Sequence, residues 1–417
     1  MEGKEKKRVA VIDTQTKHGV SPFFTAVGGT CVNVGCVPKK LFVYAAGYRG
    51  QIADAAGYGL KVAEPSFDWP TLVANKDREI DRLGRVYERI LGNAGVEIID
   101  GRATIVDPNT VEVDGKRYSA ERILVATGGA PEVPPIAGAE HAFTSNEAFY
   151  LPALPRRLAI VGGGYIAVEF AGIFAALGVD VTLLYRGHLF LRGFDDDVRS
   201  FLADELTKKG VGLCFNAPVT EISRDGEIYR VAYGRGRSLE VDAVMMATGR
   251  RPATAGLGLA EIGVNLDERG AIIVDDHFRS SVPSIYAIGD VIDRVALTPV
   301  AIAQGTAFAS AHFGGHAPDF DYALIPTAVF SQPPLASVGL TEHVAHNRHG
   351  CVDVYTSTFR PMRHTLSGRD ERTYMKLIVD PKTDRVLGAH MVGADAPEII
   401  QGLAIAITAG ATKAHFD

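Results

Sequence analysis

Residues 158–167 read Leu-Ala-Ile-Val-Gly-Gly-Gly-Tyr-Ile-Ala, which predicts a strand, a glycine turn and the start of a helix. The spacing Gly162-x-Gly164-x-x-Ala167 is typical of a dinucleotide site, because glycines let the backbone approach a pyrophosphate at the positive end of a helix. The helix is predicted over 165–177 and the next strand over 179–185, so the two strands are expected to be parallel. A purely structural glycine turn is the alternative.

The residues after this second strand bear on which nucleotide binds. A site for NAD usually has an acid here, which binds the ribose hydroxyls. This sequence has Arg186 instead, with Arg192 shortly after it. Two guanidinium groups favour a ribose 2′-phosphate, and therefore NADPH over NADH. The alternative is that both arginines are solvated surface charges.

A second dinucleotide domain is indicated by a repeat. A strand followed by Thr-Gly occurs at Thr127-Gly128 and again at Thr248-Gly249. Strands predicted over 8–13 and 284–290 end at the acids Asp13 and Asp290. Helices are predicted over 41–56, 69–94, 198–209 and 298–313, the last opened by Thr298 as cap and Pro299. From about residue 321 an antiparallel sheet is predicted, with strands over 327–330, 350–356, 374–379 and 386–392 and a final helix over 397–409.

Cys31 and Cys36 lie within the densest glycine-containing segment of the chain, residues 28–40. A five-residue offset in a regular helix rises about 7.5 Å, whereas a disulfide needs Cα atoms about 4.4–6.8 Å apart. Gly35 and Pro38 could distort the turn enough to allow one, and a helix N-terminus would lower a thiol pKa. Buried free cysteines and half of a metal site are the alternatives. Cys214 and Cys351 are isolated, so they support no metal site.

Composition excludes several classes of protein. The 417 residues are 47% hydrophobic and carry a net charge of −6, which argues against disorder and against a protein built to hold nucleic acid. Four cysteines cannot form a disulfide scaffold. No apolar run approaches the roughly 20 residues of a membrane span, and the charged start predicts no secretory signal.

Residues 28–40, Gly-Gly-Thr-Cys-Val-Asn-Val-Gly-Cys-Val-Pro-Lys-Lys, resemble the redox-disulfide motif of the FAD-dependent pyridine nucleotide–disulfide oxidoreductases. The Lys39-Lys40 pair resembles the glutathione and trypanothione reductase branch of that family. The resemblance extends over nearly the whole chain, including 162–172, 185–195, 246–252, 285–300 and 401–417. It implies an α/β fold with two Rossmann-like dinucleotide-binding domains and an α+β C-terminal dimerisation domain.

The resemblance also implies residue roles. Cys31 would be the interchange thiol that attacks the substrate disulfide, and Cys36 would contact the flavin. Lys39 would lie near the flavin and pair with Glu169, and Tyr165 would cover the nicotinamide pocket. The residues that it assigns to binding of FAD and NADPH are Asp13, Gly29, Thr30, Lys39, Thr127, Gly128, Gly162, Gly164, Tyr165, Ala167, Glu169, Arg186, Arg192, Gly249, Asp290 and Thr298.

Two family elements have no match in this sequence. The family begins with a strand and a Gly-x-Gly-x-x-Gly turn that hold the FAD pyrophosphate, but no such turn precedes residues 8–13. The FAD domain is therefore expected to be incomplete and its central parallel sheet to lack the middle strand. The family's catalytic His-Pro follows the segment that matches 410–417, and the chain has no His-Pro dipeptide, so His415 is not that base. Both ends are expected to be truncated relative to the family.

The expected organisation has four segments: 1–151 as the first part of the FAD domain, 152–270 as the inserted NADPH domain, 271–320 as the second part of the FAD domain, and 321–417 as the interface domain. The implied activity is NADPH-dependent reduction of glutathione disulfide, which serves glutathione metabolism and cell redox homeostasis. A cytoplasmic homodimer is implied, with no metal, nucleic acid or membrane as partner.

Two other functions stay open at this stage. Trypanothione disulfide is the alternative substrate: residues 13–27 and 185–187 look more like trypanothione reductase, whereas Thr306 and residues 362–369 resemble plant-type glutathione reductases. The other alternative is a catalytically inactive truncated product that retains only NADPH binding.

Overall fold

The structure, a computed structural model, describes residues 8–13, 27–63, 65–316 and 321–417. Residues 14–26, which carry most of the likeness to trypanothione reductase, lie outside the described residues. Within the described ranges, no helix combines the length and the apolar character that a membrane span requires. The fold is mixed α/β, as predicted.

The described helices vary from single turns to the seven turns of the longest. They are α1 (Gly29–Val34), α2 (Cys36–Ala55), α3 (Trp69–Asn93), α4 (Ser145–Ala148), α5 (Tyr165–Ala176), α6 (Asp196–Lys208), α7 (Thr298–Phe313), α8 (Glu342–His349), α9 (Ala396–Thr408) and α10 (Lys413–Phe416).

The described strands are short, three to seven residues each. They are β1 (Ala10–Asp13), β2 (Glu97–Asp100), β3 (Ala103–Asp107), β4 (Thr110–Val113), β5 (Lys116–Ser119), β6 (Ile123–Val125), β7 (Gly129–Pro131), β8 (Arg157–Val161), β9 (Asp180–Leu184), β10 (Gly212–Cys214), β11 (Val219–Asp225), β12 (Ile228–Tyr233), β13 (Arg237–Val241), β14 (Ala243–Met246), β15 (Arg250–Pro252), β16 (Ile285–Ala287), β17 (Thr327–Val329), β18 (Leu335–Gly339), β19 (Asp353–Phe359), β20 (Thr373–Val379) and β21 (Val386–Val392).

The first of two compact units comprises Met1–Lys39, Val73–Glu132 and Arg250–Phe320. Two short parallel sheets, β1–β2 and β6–β16, form its centre. Strands β3, β4 and β5 form an antiparallel sheet, and their apolar side chains share one core with those of β16 and α7, including Ile105, Val113, Ile285 and Phe308. Among the described residues no strand joins the two parallel pairs, and the predicted lack of a middle strand stays a prediction.

The second unit comprises Lys40–Leu72, Val133–Gly249 and Asp321–Asp417. Its first sheet has the strand order β10-β9-β8-β14, and all of its pairs are parallel, which confirms the prediction from the glycine turn. Helix α5 is apolar on nearly every side, and eight of its residues, from Ala167 to Phe174, are buried. A helix that is hydrophobic on all sides is normally buried in a core. Because α5 is buried in this way, the glycine turn that precedes it is held in place.

The C-terminal part of this unit is a five-stranded antiparallel sheet in the order β17-β18-β21-β20-β19. Helix α9 packs on it through Ile400, Ala404 and Ile407, which share a core with Ala389 and Met391 of β21. The antiparallel sheet was predicted and is confirmed, but β18 and α8 were not predicted. Strand β18 reads Leu-Ala-Ser-Val-Gly, which contains one β-branched residue and no aromatic residue, so its sequence carries a weak strand signal.

Candidate active site

The backbone around the cysteine pair is broken by a glycine. Helix α1 ends before Gly35, whose φ and ψ are −145° and −120°, and α2 begins at Cys36. A Cβ atom on Gly35 would lie 2.7 Å from the carbonyl oxygen of Thr30 and 3.2 Å from Cys31 Cα. Glycine is therefore required for this approach. The predicted helix start at residue 41 is wrong: α2 begins five residues earlier, because Pro38 is tolerated in the first turn of a helix.

This break brings the two thiols together. Both are free thiols, with Cys31 half-buried and Cys36 exposed. The hydrogen bond with Cys36 and burial both raise the pKa of the Cys31 thiol, while a hydrogen bond with Thr298 acts in the opposite direction. Cys36 Sγ lies 3.7 Å from Thr298 Oγ1.

Helix α7 begins beside the Cys36 thiol. Thr298 is the first helical residue and Leu297 is the N-cap, with no side-chain capping hydrogen bond, so the prediction that Thr298 caps the helix is wrong. The physical reason is that the Thr298 hydroxyl contacts the Cys36 thiol instead of a backbone N–H. No acidic residue lies in the first turn of this 16-residue helix. Its positive end therefore remains available to stabilise an anion nearby.

Asp290 lies in the same unit, in a single 3-10 turn (Gly289–Ile292) that follows β16, so the predicted strand ends three residues before this acid. Burial raises the pKa of its carboxyl group, while the charge of Arg250 acts in the opposite direction. The preceding Gly289 donates its N–H to Oε1 of the fully buried Gln304 at 2.7 Å. Gln304 of α7 therefore holds the turn that carries Asp290. The Asp290 carboxyl group is then in a fixed position, which suits contact with a buried polar ligand.

Three of the predicted cofactor-binding residues, Asp13, Thr127 and Gly128, lie at or after strand ends in the first unit. Asp13 is half-buried at the end of β1, and its carbonyl accepts the N–H of Gly101 at 3.0 Å. After β6, the Thr127 hydroxyl donates to the carbonyl of Ala253 at 2.9 Å. Gly128 has a φ of +70°, and a Cβ on it would meet nothing within 4 Å, so the backbone here is open to a ligand.

The predicted NADPH turn has the shape that its glycines suggested. A Cβ on Gly162 would lie 2.1 Å from the carbonyl oxygen of Ala247, and one on Gly163 would lie 2.4 Å from the Tyr185 ring. A Cβ on Gly164 would meet nothing within 4 Å. The turn is therefore closed against the protein at its first two positions and open at the third, which is the N-cap of α5. This opening at a helix N-terminus fits a pyrophosphate.

The predicted site residues that follow the glycine turn differ in how exposed their side chains are. Tyr165, the first residue of α5, is 41% exposed, whereas Ala167 is fully buried one helical turn from the glycines. Glu169 is buried, and its Oε1 accepts the N–H of Phe330 at 2.8 Å. Its predicted pairing with Lys39, itself buried in the first unit, stays a prediction.

The two arginines assigned to the 2′-phosphate, Arg186 and Arg192, are both exposed on the segment between β9 and α6. Gly249, the partner of Gly128 in the repeat, follows β14 with a φ of +147°, so both Thr-Gly repeats end in a backbone conformation that favours glycine. Gly29 and Thr30 are exposed at the start of α1, where Gly29 has a φ of +57°.

Sequence reasoning missed a buried ion cluster around Lys376 in β20. Its Nζ lies 2.8 Å from Asp195, 2.6 Å from Asp197 and 2.6 Å from Glu342, and its side chain is 1% exposed. Burial raises the pKa of Asp195, whereas the hydrogen bonds from Lys376 and from the backbone N–H of Glu342 lower it, and the net shift is downward. Asp195 is the N-cap of α6, and the run of acids at 195–197 is the signal that could have marked the start of this helix. Nothing in the sequence marked Lys376 as its buried partner.

The α/β fold with its glycine turn and the contacting cysteine pair are together typical of a dinucleotide-binding redox protein. The family described as pyridine nucleotide-disulphide oxidoreductase matches residues 3–305, and its dimerisation domain matches residues 325–417. The chain therefore belongs to the pyridine nucleotide-disulphide oxidoreductases and carries their dimerisation domain. FAD and NADPH are accordingly its cofactors.

Individual proteins of known name show which members of the family this chain is similar to. A glutathione reductase of Burkholderia cepacia is 54% identical over 94% of this chain and 87% of its own length. A trypanothione reductase of Trypanosoma congolense is 43% identical over 99% of this chain and 87% of its own length. Among solved structures, an HOCl-induced flavoprotein disulfide reductase from Escherichia coli superimposes with a TM-score of 0.86 at 31% identity, covering 97% of this chain and 89% of that one.

The geometry of the glycine turn gives a matched pair of variants. Gly162→Ala is expected to lower the free energy of unfolding by about 2–3 kcal/mol, since its Cβ would strike a backbone oxygen at a positive φ. Gly164→Ala is expected to change stability by less than about 1 kcal/mol and to raise the Kd of NADPH about tenfold, because its Cβ would enter the open ligand side. Thermal melting and fluorescence titration with NADPH check both. Unchanged NADPH affinity in Gly164→Ala would contradict the pyrophosphate position.

Proposed function

We propose that the protein is an NADPH-dependent glutathione-disulfide reductase. The observation that carries this proposal is the contact between Cys31 and Cys36 across the Gly35 break, in a chain 54% identical to a glutathione reductase. The overall reaction consumes one NADPH, one proton and one glutathione disulfide and yields NADP⁺ and two glutathione thiols. The chemistry supplied by bound FAD and NADPH is the delivery of two electrons to the Cys31–Cys36 disulfide.

The chain's own sulfurs then carry out two exchanges. The Cys31 thiolate attacks one sulfur of glutathione disulfide, which breaks its S–S bond and releases one glutathione that takes up a proton. Cys36 attacks the Cys31 sulfur of this mixed disulfide, releases the second glutathione and restores the disulfide. The hydrogen bond with Cys36 and burial raise the pKa of the Cys31 thiol, so this thiol must give up its proton to another group before it attacks. The positive end of α7 lies beside Cys36 and would stabilise a thiolate there.

The remaining residue roles belong to the same proposal. Asp13, Gly29, Thr30, Thr127, Gly128, Asp290 and Thr298 would contact FAD or support its site, and Lys39 with Glu169 would lie near the flavin. Gly249 would belong to the cofactor-binding residues of the NADPH domain. Gly162, Gly164, Tyr165 and Ala167 would bind the body of NADPH. Arg186 and Arg192 would bind its 2′-phosphate. The open backbone at Gly128 and Gly164 supports the two nucleotide positions.

The proposed domain organisation places FAD binding in 1–151 and 271–320, NADPH binding in 152–270 and the interface in 321–417. We further propose a cytoplasmic homodimer, which the match of residues 325–417 to a dimerisation domain supports. Sedimentation equilibrium is expected to give twice the 44.6 kDa mass of one chain. A monomer at micromolar concentration would contradict the homodimer.

The test of activity is oxidation of NADPH by the purified chain, followed at 340 nm, with glutathione disulfide or trypanothione disulfide as acceptor. Glutathione disulfide is expected to give the higher kcat/KM. A higher kcat/KM for trypanothione disulfide would transfer the assignment to the other branch. NADPH binding without turnover of either acceptor would favour the inactive alternative.

A further inference from the structure

The segment that carries Arg186 and Arg192 runs from Tyr185 to Asp195, between β9 and α6. Both arginines are exposed. This exposure is required if they are to bind the phosphate of a ligand that arrives from solvent. A guanidinium on a loop recognises a phosphate well only if the loop holds it in place, since the entropy of ordering opposes binding. The contacts beneath this loop therefore bear on its specificity.

A buried arginine lies beneath the loop. Arg199, in the first turn of α6, is 5% exposed. Its Nε donates to the carbonyl of Phe190 and its Nη2 to the carbonyl of Leu189, each at 2.7 Å. Its Nη1 donates to Asp196, whose side chain is 76% exposed. One planar guanidinium thus satisfies two successive loop carbonyls at once, which the single ammonium point of lysine cannot reproduce.

The same loop is also tied to the glycine turn. Leu191 donates its N–H to the carbonyl of Gly163 at 2.6 Å and has a φ of +54°, in the left-handed region that a leucine rarely adopts. This strained residue lies next to Arg192 and directly follows the two carbonyls that Arg199 holds. The strain persists only because the surrounding contacts fix the loop. Arg199 and Gly163 therefore set the position of Arg192 relative to the turn at Gly164.

We propose that Arg199 is a positioning residue for recognition of the ribose 2′-phosphate, and that it contributes to the preference for NADPH over NADH without touching the nucleotide. Its hydrogen bonds to Leu189 and Phe190 hold the loop in the conformation that presents Arg192. This inference rests on the proposed function, because it assumes that Arg186 and Arg192 bind the 2′-phosphate. The inference adds Arg199, a residue outside the binding site, as one that determines how well Arg186 and Arg192 bind the phosphate.

The test compares NADPH with NADH in Arg199→Gln and Arg199→Lys. For Arg199→Gln, the Kd and KM for NADPH are expected to rise about tenfold and those for NADH to change less than about twofold. For Arg199→Lys, the Kd and KM for NADPH are expected to lie between those of the wild-type protein and those of Arg199→Gln. Kd is measured by fluorescence titration with each nucleotide, and KM with glutathione disulfide held at saturation. Equal losses for both nucleotides would show a merely structural role and overturn the proposal.

Arg230→Gln is the matched control, since Arg230 is an exposed arginine of the same unit that pairs with Glu240 on a neighbouring strand, away from this loop. It should leave the NADPH to NADH ratio unchanged. If Arg199→Gln fails to fold, the proposal is tested by the NADPH to NADH preference of Arg199→Lys. An unchanged preference in Arg199→Lys would then overturn the proposal.

Arg186→Gln and Arg192→Gln separate this inference from the function on which it rests. If they lose the preference for NADPH and Arg199→Gln keeps it, only the positioning role fails. If neither of them loses it, the 2′-phosphate site itself is wrong.

Discussion

Replacing Cys31 by serine is expected to abolish glutathione-disulfide-dependent oxidation of NADPH, with a loss of at least about a thousandfold in kcat. A serine hydroxyl cannot form the mixed disulfide, so the first exchange has no attacking sulfur. Cys36→Ser is expected to cause a comparable loss, because the mixed disulfide at Cys31 then has no thiol to resolve it. The measurement is the steady-state rate at 340 nm with saturating NADPH.

The two variants should differ in what they accumulate. Cys36→Ser incubated with glutathione disulfide is expected to retain one glutathione on Cys31, visible as a mass increase by intact-protein mass spectrometry and removed by reductant. Cys31→Ser should retain none at that position. Cys351→Ser is the control, since Cys351 is exposed and lies in the C-terminal part of the chain, and its activity should equal that of the unmodified protein. Retention of full activity by Cys31→Ser would refute the proposed chemistry.

Replacing Lys376 by methionine is expected to lower the free energy of unfolding by about 3–5 kcal/mol, the cost of leaving a buried charge without its partner. Lys376 lies 2.8 Å from Asp195, which is 3% exposed, so Asp195 would stay buried without a counterion. Denaturant unfolding followed by fluorescence of Trp69, the one tryptophan of the chain, measures the loss within the same compact unit. Lys382→Met, at an exposed turn position, should cost less than about 0.5 kcal/mol.

The pH dependence of this loss has a definite sign. Because the pKa of Asp195 is lowered in the folded protein, its ion pair contributes stability above the ordinary carboxyl value of about 3.9, and the contribution disappears as the pH falls toward the folded pKa. The stability difference between wild type and Lys376→Met should therefore shrink between pH 7 and pH 3. A difference that stays constant over this range would mean that the loss comes from packing instead of charge.

Local sequence patterns predicted much of the fold and the candidate site. The strand-turn-helix at 158–177 and the parallel pairing of β8 and β9 are as expected, because glycine spacing and apolar runs act over a few residues. The same holds for the antiparallel sheet beyond residue 321. The cysteine spacing left a disulfide pair open and the family resemblance implied one, and the contact between the two thiols is present once Gly35 breaks the helix.

Features that depend on distant residues were missed or wrong. Thr298 was taken as a helix cap from its neighbour Pro299, but its hydroxyl contacts Cys36, which is 262 positions away in the chain. The partnership of Lys376 with Asp195 joins residues 181 positions apart. A sequence shows that each of these residues is polar, but only the folded chain shows which ones share a buried site.

The sequence by itself determined the class of chemistry, since a glycine turn, a Thr-Gly repeat and two spaced cysteines each act through backbone and sulfur atoms close together in the chain. Tertiary structure alone decided how that chemistry is tuned. It places the positive end of α7 beside Cys36 and the guanidinium of Arg199 beneath the loop of Arg192. The physical reason is that electrostatic stabilisation and the satisfaction of buried polar groups depend on distances in space, which packing sets and which spacing along the chain does not encode.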